Sequence, residues 1–247
     1  MDNPTTIALS RLVAQSRALE VTATNLANAN TPGFRAERML FSDWLAHEPR
    51  GAEPPGGQTI AFTQDRATYR ERQAGTLTHT ANPLDLALGG GVGWFTVMTG
   101  NGPRLTRAGH FQLDATGKIV DEQGEPLLDT LGKPLTTTPA DTVLSIASDG
   151  TLSSENGQIG KIGVVAPADE TKMTAEGGRR LATTSPTAPV ASPGIIQGAI
   201  EGSNVEPILE LNRMTNDLRE FQFTTQFIQG ESDRQNGAID KIMKKGV

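Results

Sequence analysis

Three histidines and a glycine-rich run are the residues of this chain whose types could support chemistry. His47, His79 and His110 are far apart in sequence, and none lies at metal-ligand spacing from another, so we expect strand or surface roles for them. Residues 89–93 carry four glycines, but a strand-like apolar run follows instead of a helix, and no Gly-Lys-Ser/Thr is present. This run therefore predicts a tight turn and not a phosphate site.

One acidic residue, Asp85, stands between two leucines, Leu84 and Leu86. An inward acid can serve catalysis, and it can equally cap a turn; both interpretations stay open. No Gly-x-Ser-x-Gly elbow occurs, and the chain has no cysteine, which excludes disulfides and thiolate metal sites. We predict no catalytic residue, no cofactor and no metal site, and therefore a protein that is not an enzyme.

The composition points away from nucleic acid and membranes. The net charge is −6, whereas a nucleic-acid partner requires a basic face. No stretch approaches the roughly 20 apolar residues of a membrane span, and Arg11 interrupts the apolar positions that a secretory signal would need. Only 36% of the 247 residues are hydrophobic and 4% aromatic, so we expect part of the apolar surface to face other subunits.

Two long helices are predicted at the ends of the chain. The first starts at Asn3 and Pro4, and the second begins at Pro207 and runs to Met243, about 55 Å at about 1.5 Å per residue. Their apolar residues recur at alternating steps of three and four, which is the coiled-coil pattern. The predicted assembly seam consists of Leu9, Leu12, Leu19 and Leu26 in the first helix and Leu211, Met214, Leu218, Phe221, Ile228, Ile239 and Ile242 in the second.

The seams allow two arrangements. They can pair with each other inside one subunit, or they can pair with neighbouring subunits, and the sequence leaves both open. Because the second helix is the longer one, pairing within a subunit leaves part of the seam of the second helix without a partner.

The middle of the chain has a different pattern. From about Thr76 the apolar period changes to two, and Asp-Gly and Asn-Gly pairs separate short apolar runs, which indicates antiparallel hairpins. We predict an α+β fold in which the terminal helices form a coiled-coil-like layer beside a central antiparallel all-β domain. The predicted segments are a seam helix (1–33), an extended connector or hairpin arm with an exposed loop at 48–58 (34–75), the β domain (76–182), a linker rich in Ser, Thr, Pro and Ala (183–202) and the second seam helix (203–247).

The segment that follows the first helix resembles the signature of flagellar basal-body rod and hook proteins. Its matching residues are Asn25, Leu26, Ala27, Asn28, Thr31, Pro32, Gly33 and Phe34. Further blocks similar to that family follow in family order at 83–88, 93–97, 106–111, 148–151 and 201–205. Val92 and Leu105 depart from the family pattern at a turn and at one strand contact.

Within that family the chain is most similar to proximal rod proteins, through the runs 34–41 and 201–208 and the short connector before Leu84. A distal rod or hook-type axial protein is the alternative. From other classes, a cell-wall-acting enzyme and an export adaptor or chaperone remain as rivals.

The resemblance implies a structural subunit of the flagellar rod. Such a subunit is exported through the flagellum's own type III apparatus without a cleaved signal peptide, and it assembles in the periplasm. Its implied partners are other rod subunits and further copies of itself in a helical tube, together with the export apparatus. The terminal helices would form the inner layer of this tube, and the β domain would pack outside.

Overall fold

The structure, a computed structural model, describes residues 3–47, 59–177 and 179–244. The predicted loop at 48–58 and the outermost residues of the two predicted helical segments lie outside the described residues. Helix α1 spans Asn3–Ala27 and helix α2 spans Pro207–Lys244, so α2 begins at the proline that the sequence marks as its first helical residue. No helix within the described ranges is both long enough and apolar enough to span a bilayer.

Seventeen strands and one short 3-10 helix, Glu170–Lys172, lie between α1 and α2 in the described part of the chain. The strands are β1 (Glu37–His47), β2 (Thr59–Arg70), β3 (Leu77–His79), β4 (Leu86–Leu88), β5 (Trp94–Thr99), β6 (Gly102–Thr106), β7 (Phe111–Leu113), β8 (Ile119–Asp121), β9 (Leu144–Ile146), β10 (Thr151–Ser154), β11 (Gly157–Lys161), β12 (Val164–Pro167), β13 (Met173–Ala175), β14 (Arg180–Thr183), β15 (Thr187–Pro189), β16 (Ile195–Gln197) and β17 (Ala199–Glu201).

The chain divides into two compact units. The helical unit comprises Met1–Leu26, Glu37–Tyr69 and Glu206–Val247, and so contains α1, the β1–β2 pair and α2. The β unit comprises Ala27–Ala36 and Arg70–Val205. The fold is therefore α+β, with an N-terminal helix, a central antiparallel β region and a C-terminal helix.

The β unit is organised around one six-stranded antiparallel sheet with the order β13-β14-β6-β5-β12-β15. Alternation along β5 sends Phe95 and Val97 to one face and Trp94 to the other. Phe95 meets Phe111 edge to face, with ring centroids 5.5 Å apart, at the centre of the main core. On the opposite face, Trp94 packs with Leu105, Met173 and Leu181, so the family departure at Leu105 is accommodated in a small second core.

Three turns of the β unit share one construction. Asp114, Asp121 and Asp129 each accept hydrogen bonds from the backbone N–H groups two and four residues further on, at 2.8–2.9 Å. A glycine with positive φ follows each aspartate by three residues. These turns confirm the hairpin signals that the sequence carries in this region.

The segment predicted as a linker, 183–202, instead carries the last three strands of the β unit. β15 pairs with β12, β16 with β4 and β17 with β3. The composition misled the prediction because β15 lies at the edge of the six-stranded sheet, where prolines such as Pro189 are tolerated. The strands of the β domain therefore extend past the predicted boundary at residue 182, to Glu201.

Candidate assembly site

Asn25, the first residue of the family motif, ties the end of α1 to β1 within the helical unit. Its side chain is fully buried; its Nδ2 donates to the Glu37 carbonyl at 2.9 Å, and its Oδ1 accepts from the Glu37 N–H at 2.8 Å. The Asn25 side-chain amide thus pairs with both backbone groups of Glu37, as the backbone of a neighbouring strand would. The same Nδ2 also donates to the carboxylate of Glu210 at 3.3 Å.

Glu210, in the first turn of α2, is a buried acid with three partners. Besides Asn25, its carboxylate binds Arg38 at 2.8 Å and Arg213 at 2.6 Å. Burial opposes ionisation, but the Arg38 guanidinium and the hydrogen bonds outweigh it and hold the pKa of Glu210 below its ordinary value. Glu210 is therefore charged at neutral pH and joins the end of α1, the start of β1 and the start of α2.

The second half of the motif turns the chain inside the β unit. The N–H of Thr31 donates to the Asn28 carbonyl at 3.1 Å, and the N–H of Phe34 donates to the Thr31 carbonyl at 3.2 Å. Gly33 adopts a φ of +72°, and a Cβ there would lie 2.4 Å from backbone atoms of Arg107 and Ala108. Only glycine fits this position, for its left-handed backbone and for its close approach.

Arg35, directly after the motif, belongs to a buried charge cluster. The Glu201 carboxylate at the end of β17 binds Arg107 at 2.8 Å and Arg35 at 3.3 Å. Both guanidinium groups lie over the Trp94 ring, 5.6 Å and 5.4 Å from its centroid. Burial lowers the pKa of Arg107 to about 10, although Glu201 opposes this shift. The cluster links β17, the last strand of the β unit, with the segment that follows the motif.

The motif residues thus differ in role. Asn25 and Gly33 are buried, Leu26, Asn28, Thr31, Pro32 and Phe34 are partly buried, and Ala27 is exposed. The charged partners Arg35, Arg107, Glu201 and Glu210 were not singled out from the sequence. Arg35, Arg107 and Glu201 do lie in the matching blocks, but a charged residue is by default expected at the surface.

The two terminal helices contact each other through polar side chains. Thr22 donates to Asp217 at 3.2 Å, and Gln15 donates to Glu220 at 3.3 Å, while Arg11 lies 3.5 Å from the same Glu220 carboxylate. Residue numbers rise along α1 as they fall along α2, so the helices run antiparallel.

The buried side chains of each helix coincide only in part with the predicted seam. At every second step of the three-and-four pattern, the buried residue is the one just before the predicted position. On α1 these residues are Ala8, Gln15 and Thr22, seven residues apart, and on α2 they are Glu210 and Thr224 with the partly buried Asp217 between them. Buried polar side chains require hydrogen-bonding partners, and the facing helix supplies them for Gln15, Thr22, Glu210 and Asp217. Thr224 instead donates to the Glu220 carbonyl of its own helix. Of the predicted seam, Leu12, Leu19, Leu26, Met214, Phe221 and Ile228 are partly buried, whereas Leu9, Leu211, Leu218, Ile239 and Ile242 are exposed.

Large apolar side chains remain at the surface of both helices. Phe223 is 72% exposed and Ile242 is 74% exposed, and the others in this set are Leu9, Val13, Ile208, Leu209, Leu211, Leu218, Phe227, Ile239 and Met243. Exposed apolar surface of this extent is typical of interaction sites. A groove of about 390 Å³ also opens between the helices, lined by Ile7, Ala8, Arg11, Phe223, Thr224 and Phe227.

The residues considered for chemistry have structural surroundings. Asp85 is buried, lies 2.6 Å from His110 Nδ1 and accepts from the Asn82 side chain at 3.0 Å, so it holds the turn before β4. His79 is exposed in β3, and His47 lies in β1. Across the described ranges, no three His, Asp or Glu side chains form a group that could hold a metal ion.

Comparison with known proteins explains this combination of motif, β unit and helices. Residues 6–35 match the family described as flagella basal body rod protein, and residues 90–174 match the flagellar hook protein FlgE/F/G D1 domain. The chain is 30% identical over 246 residues to the flagellar basal-body rod protein FlgF of Caulobacter vibrioides, covering 99% of both chains. The chain belongs to the flagellar basal-body rod protein family.

Other rod proteins are similar over most of their length. The FlgF protein of Mesorhizobium japonicum is 31% identical over 97% of both chains. The FlgG protein of Bacillus subtilis is 32% identical over 85% of this chain and 88% of its own. The matched block at residues 6–35 contains α1 from Thr6 onward together with the whole motif, up to Arg35 of the buried charge cluster.

Proposed function

We propose that this chain is a structural subunit of the proximal part of the bacterial flagellar rod and assembles through its terminal helices. Membership of the rod protein family supports a structural role and not a catalytic one. The observation that carries the assembly surface is the set of apolar side chains left exposed on α1 and α2. Their burial against neighbouring subunits would stabilise the assembled state by about 1.5–3 kcal/mol for each side chain fully buried.

The proposed assembly is a helical tube. Contacts between different surfaces of successive subunits do not close on themselves, so repeated addition produces an open helical array. In this arrangement α1 and α2 form a coiled-coil-like inner layer, with neighbouring helices covering Leu9, Leu218 and Ile239. The contacts of Gln15, Thr22 and Asp217 between α1 and α2 would keep each pair together during assembly.

The proposed position of this chain is in the proximal part of the rod. The runs 34–41 and 201–208 and the short connector favour this assignment, and the full-length similarity to FlgF proteins supports it. A distal, FlgG-like position is the alternative, because the FlgG protein of Bacillus subtilis is also similar over most of its length. The proposed partners are other rod subunits and the flagellar type III export apparatus, and the proposed site of assembly is the periplasm.

The test is complementation of a strain that lacks this gene. Leu218→Asp places a charge on an exposed apolar position of α2, so we expect loss of swimming and absence of the variant from purified basal bodies. Because Leu218 is exposed, the melting temperature of the purified protein should stay unchanged.

Asn216→Asp is the matched control, since it introduces the same charge at an exposed polar position about 160° away around the helix. This variant should swim normally. Normal swimming and normal incorporation of Leu218→Asp would contradict the proposed assembly surface.

A further inference from the structure

The groove between α1 and α2 is one helical turn long on each side. Ile7 to Arg11 spans one turn of α1, and Phe223 to Phe227 spans one turn of α2. Both phenylalanines are exposed to a large extent, although aromatic side chains are usually covered. The groove therefore presents an apolar surface that can accept the side chains from a single turn of another helix.

The last turns of α2 carry such a set of side chains. Ile239, Ile242 and Met243 occupy one face at spacings of three and four, and they are 55–74% exposed. Glu220 contacts Arg11 and Gln15, and α1 begins only about two turns before Arg11, at Asn3. From about residue 232 onward, α2 thus extends past the described start of α1. We call residues 239–243 the tip.

Length and charge of the tip match the groove. The apolar face of the tip spans one turn, as the groove does. Asp240 flanks this face, about 100° from Ile239, and Arg11 lines the groove with its side chain 59% exposed. Arg11 already contacts Glu220, so Asp240 would bind as a second carboxylate at this arginine when the apolar residues enter the groove.

We propose that the groove binds the tip of α2 from a second copy of this chain. The contact is heterologous, because groove and tip are different surfaces, so each bound copy leaves one free groove and one free tip. Such a contact adds copies in one direction without closing. It rests on the proposed rod function and identifies the surfaces that successive copies use.

The tip of the same chain cannot fill this groove. Met243 lies 19 residues beyond Thr224 on one continuous helix, which places it about 28 Å away along the axis. A link between groove and tip must therefore join two copies. Cross-linking of the groove to the tip therefore reports a contact between two copies.

The test uses the full chain, which has no cysteine of its own. Two differently tagged copies, one Arg11→Cys and one Met243→Cys, are expressed together in a strain lacking the gene. Purified basal bodies are treated with a short bismaleimide, and dimers carrying both tags are quantified. If Arg11→Cys prevents swimming, Phe227→Cys provides a groove cysteine at an exposed position in its place.

Matched controls move each cysteine around its helix. Lys241→Cys lies about 160° from Met243, and Ser16→Cys lies about 140° from Arg11, and both positions are exposed. We expect the Arg11→Cys and Met243→Cys pair to give at least about tenfold more mixed dimer than either control pair.

The outcomes separate this inference from the proposed function. Chains that enter basal bodies without linking groove to tip, or that link equally in the controls, would overturn the inference alone. A link from Arg11→Cys to a protein of another mass would do the same, because the groove would have a different occupant. Absence of the chain from basal bodies would overturn the proposed function, and the inference with it.

Discussion

Glu201 neutralises two buried arginines and Glu210 binds a partly buried and an exposed one, and both carboxylates lie more than 160 residues after the motif segment that they hold. Arg35 and Arg107 share the Glu201 carboxylate in the β unit, whereas Arg38 and Arg213 share Glu210 in the helical unit. Removing one member of a buried ion pair leaves an uncompensated charge, which costs about 3–5 kcal/mol. These carboxylates therefore hold the ends of the motif segment in place.

Glu201→Gln should destabilise the β unit by about 3–5 kcal/mol, because two buried guanidinium groups lose their counter-charge. Urea denaturation followed by Trp94 fluorescence measures this change in a Trp44→Phe background, in which Trp94 is the single tryptophan of the chain. Glu206→Gln, an exposed position five residues later, is the control and should change the free energy of unfolding by less than about 0.5 kcal/mol. Equal stability of the two variants would contradict the role given to Glu201.

Two glycine-to-alanine substitutions should have opposite signs. Gly33→Ala should destabilise by at least about 1–2 kcal/mol, because the residue has positive φ and the new Cβ meets the backbone of residues 107–108. Gly230→Ala in α2 meets nothing within 4 Å and should stabilise the helix by about 1 kcal/mol. Thermal unfolding followed by circular dichroism compares them, and a shift of the same sign in both would contradict this account.

At the scale of elements, the α1–α2 contact shows what sequence patterning can and cannot predict. The steps of three and four located both helices, and Leu12, Met214 and Phe221 of the predicted seam are partly buried. They did not predict that Gln15, Thr22 and Asp217 connect the two helices, because polar side chains face a partner only when its hydrogen-bonding groups are in register. That register depends on residues about 200 positions away in sequence.

The β unit shows the same limit of prediction from sequence. Hairpins at Asp149-Gly150 and Asn156-Gly157 were predictable, since local turn chemistry specifies them. β15 to β17 were not, because each is three residues long and pairs with a strand that is distant in sequence. In the same way, the cluster around Trp94 depends on Glu201, which only the folded chain brings near.

Asp217 makes the helix contact dependent on pH. Burial raises the pKa of Asp217 above its ordinary value, so the folded state holds its proton to higher pH than the unfolded state does. The contribution of Asp217 to stability is therefore greatest below the unfolded pKa of about 3.9 and decreases as pH rises through the folded pKa.

Asp217→Asn removes this titration while keeping an acceptor for Thr22. We expect the variant to be more stable than the parent at pH 7, with a smaller difference near pH 4, measured by thermal unfolding at 222 nm. Asp233→Asn, at an exposed position of α2, is the control and should show no such dependence. A parent that is more stable than Asp217→Asn at pH 7 would contradict the expected direction of this pH dependence.

At the scale of the whole molecule, the apolar side chains of the helices are the main feature that a single copy does not satisfy. Its β unit has a continuous core around Phe95, whereas α1 and α2 leave Leu9, Phe223 and Ile242 exposed. A low aromatic content and unequal helix lengths already indicated surface reserved for neighbours. Membership of the rod family identifies the kind of assembly in which such surface would be used.

The most direct test is a cryo-electron microscopy map of intact basal bodies in which this chain is traced. We expect α1 and α2 in the inner wall of the rod, with Leu9, Phe223 and Ile242 buried against neighbouring subunits. A map in which these side chains face solvent, or in which the chain is absent from the rod, would contradict this expectation.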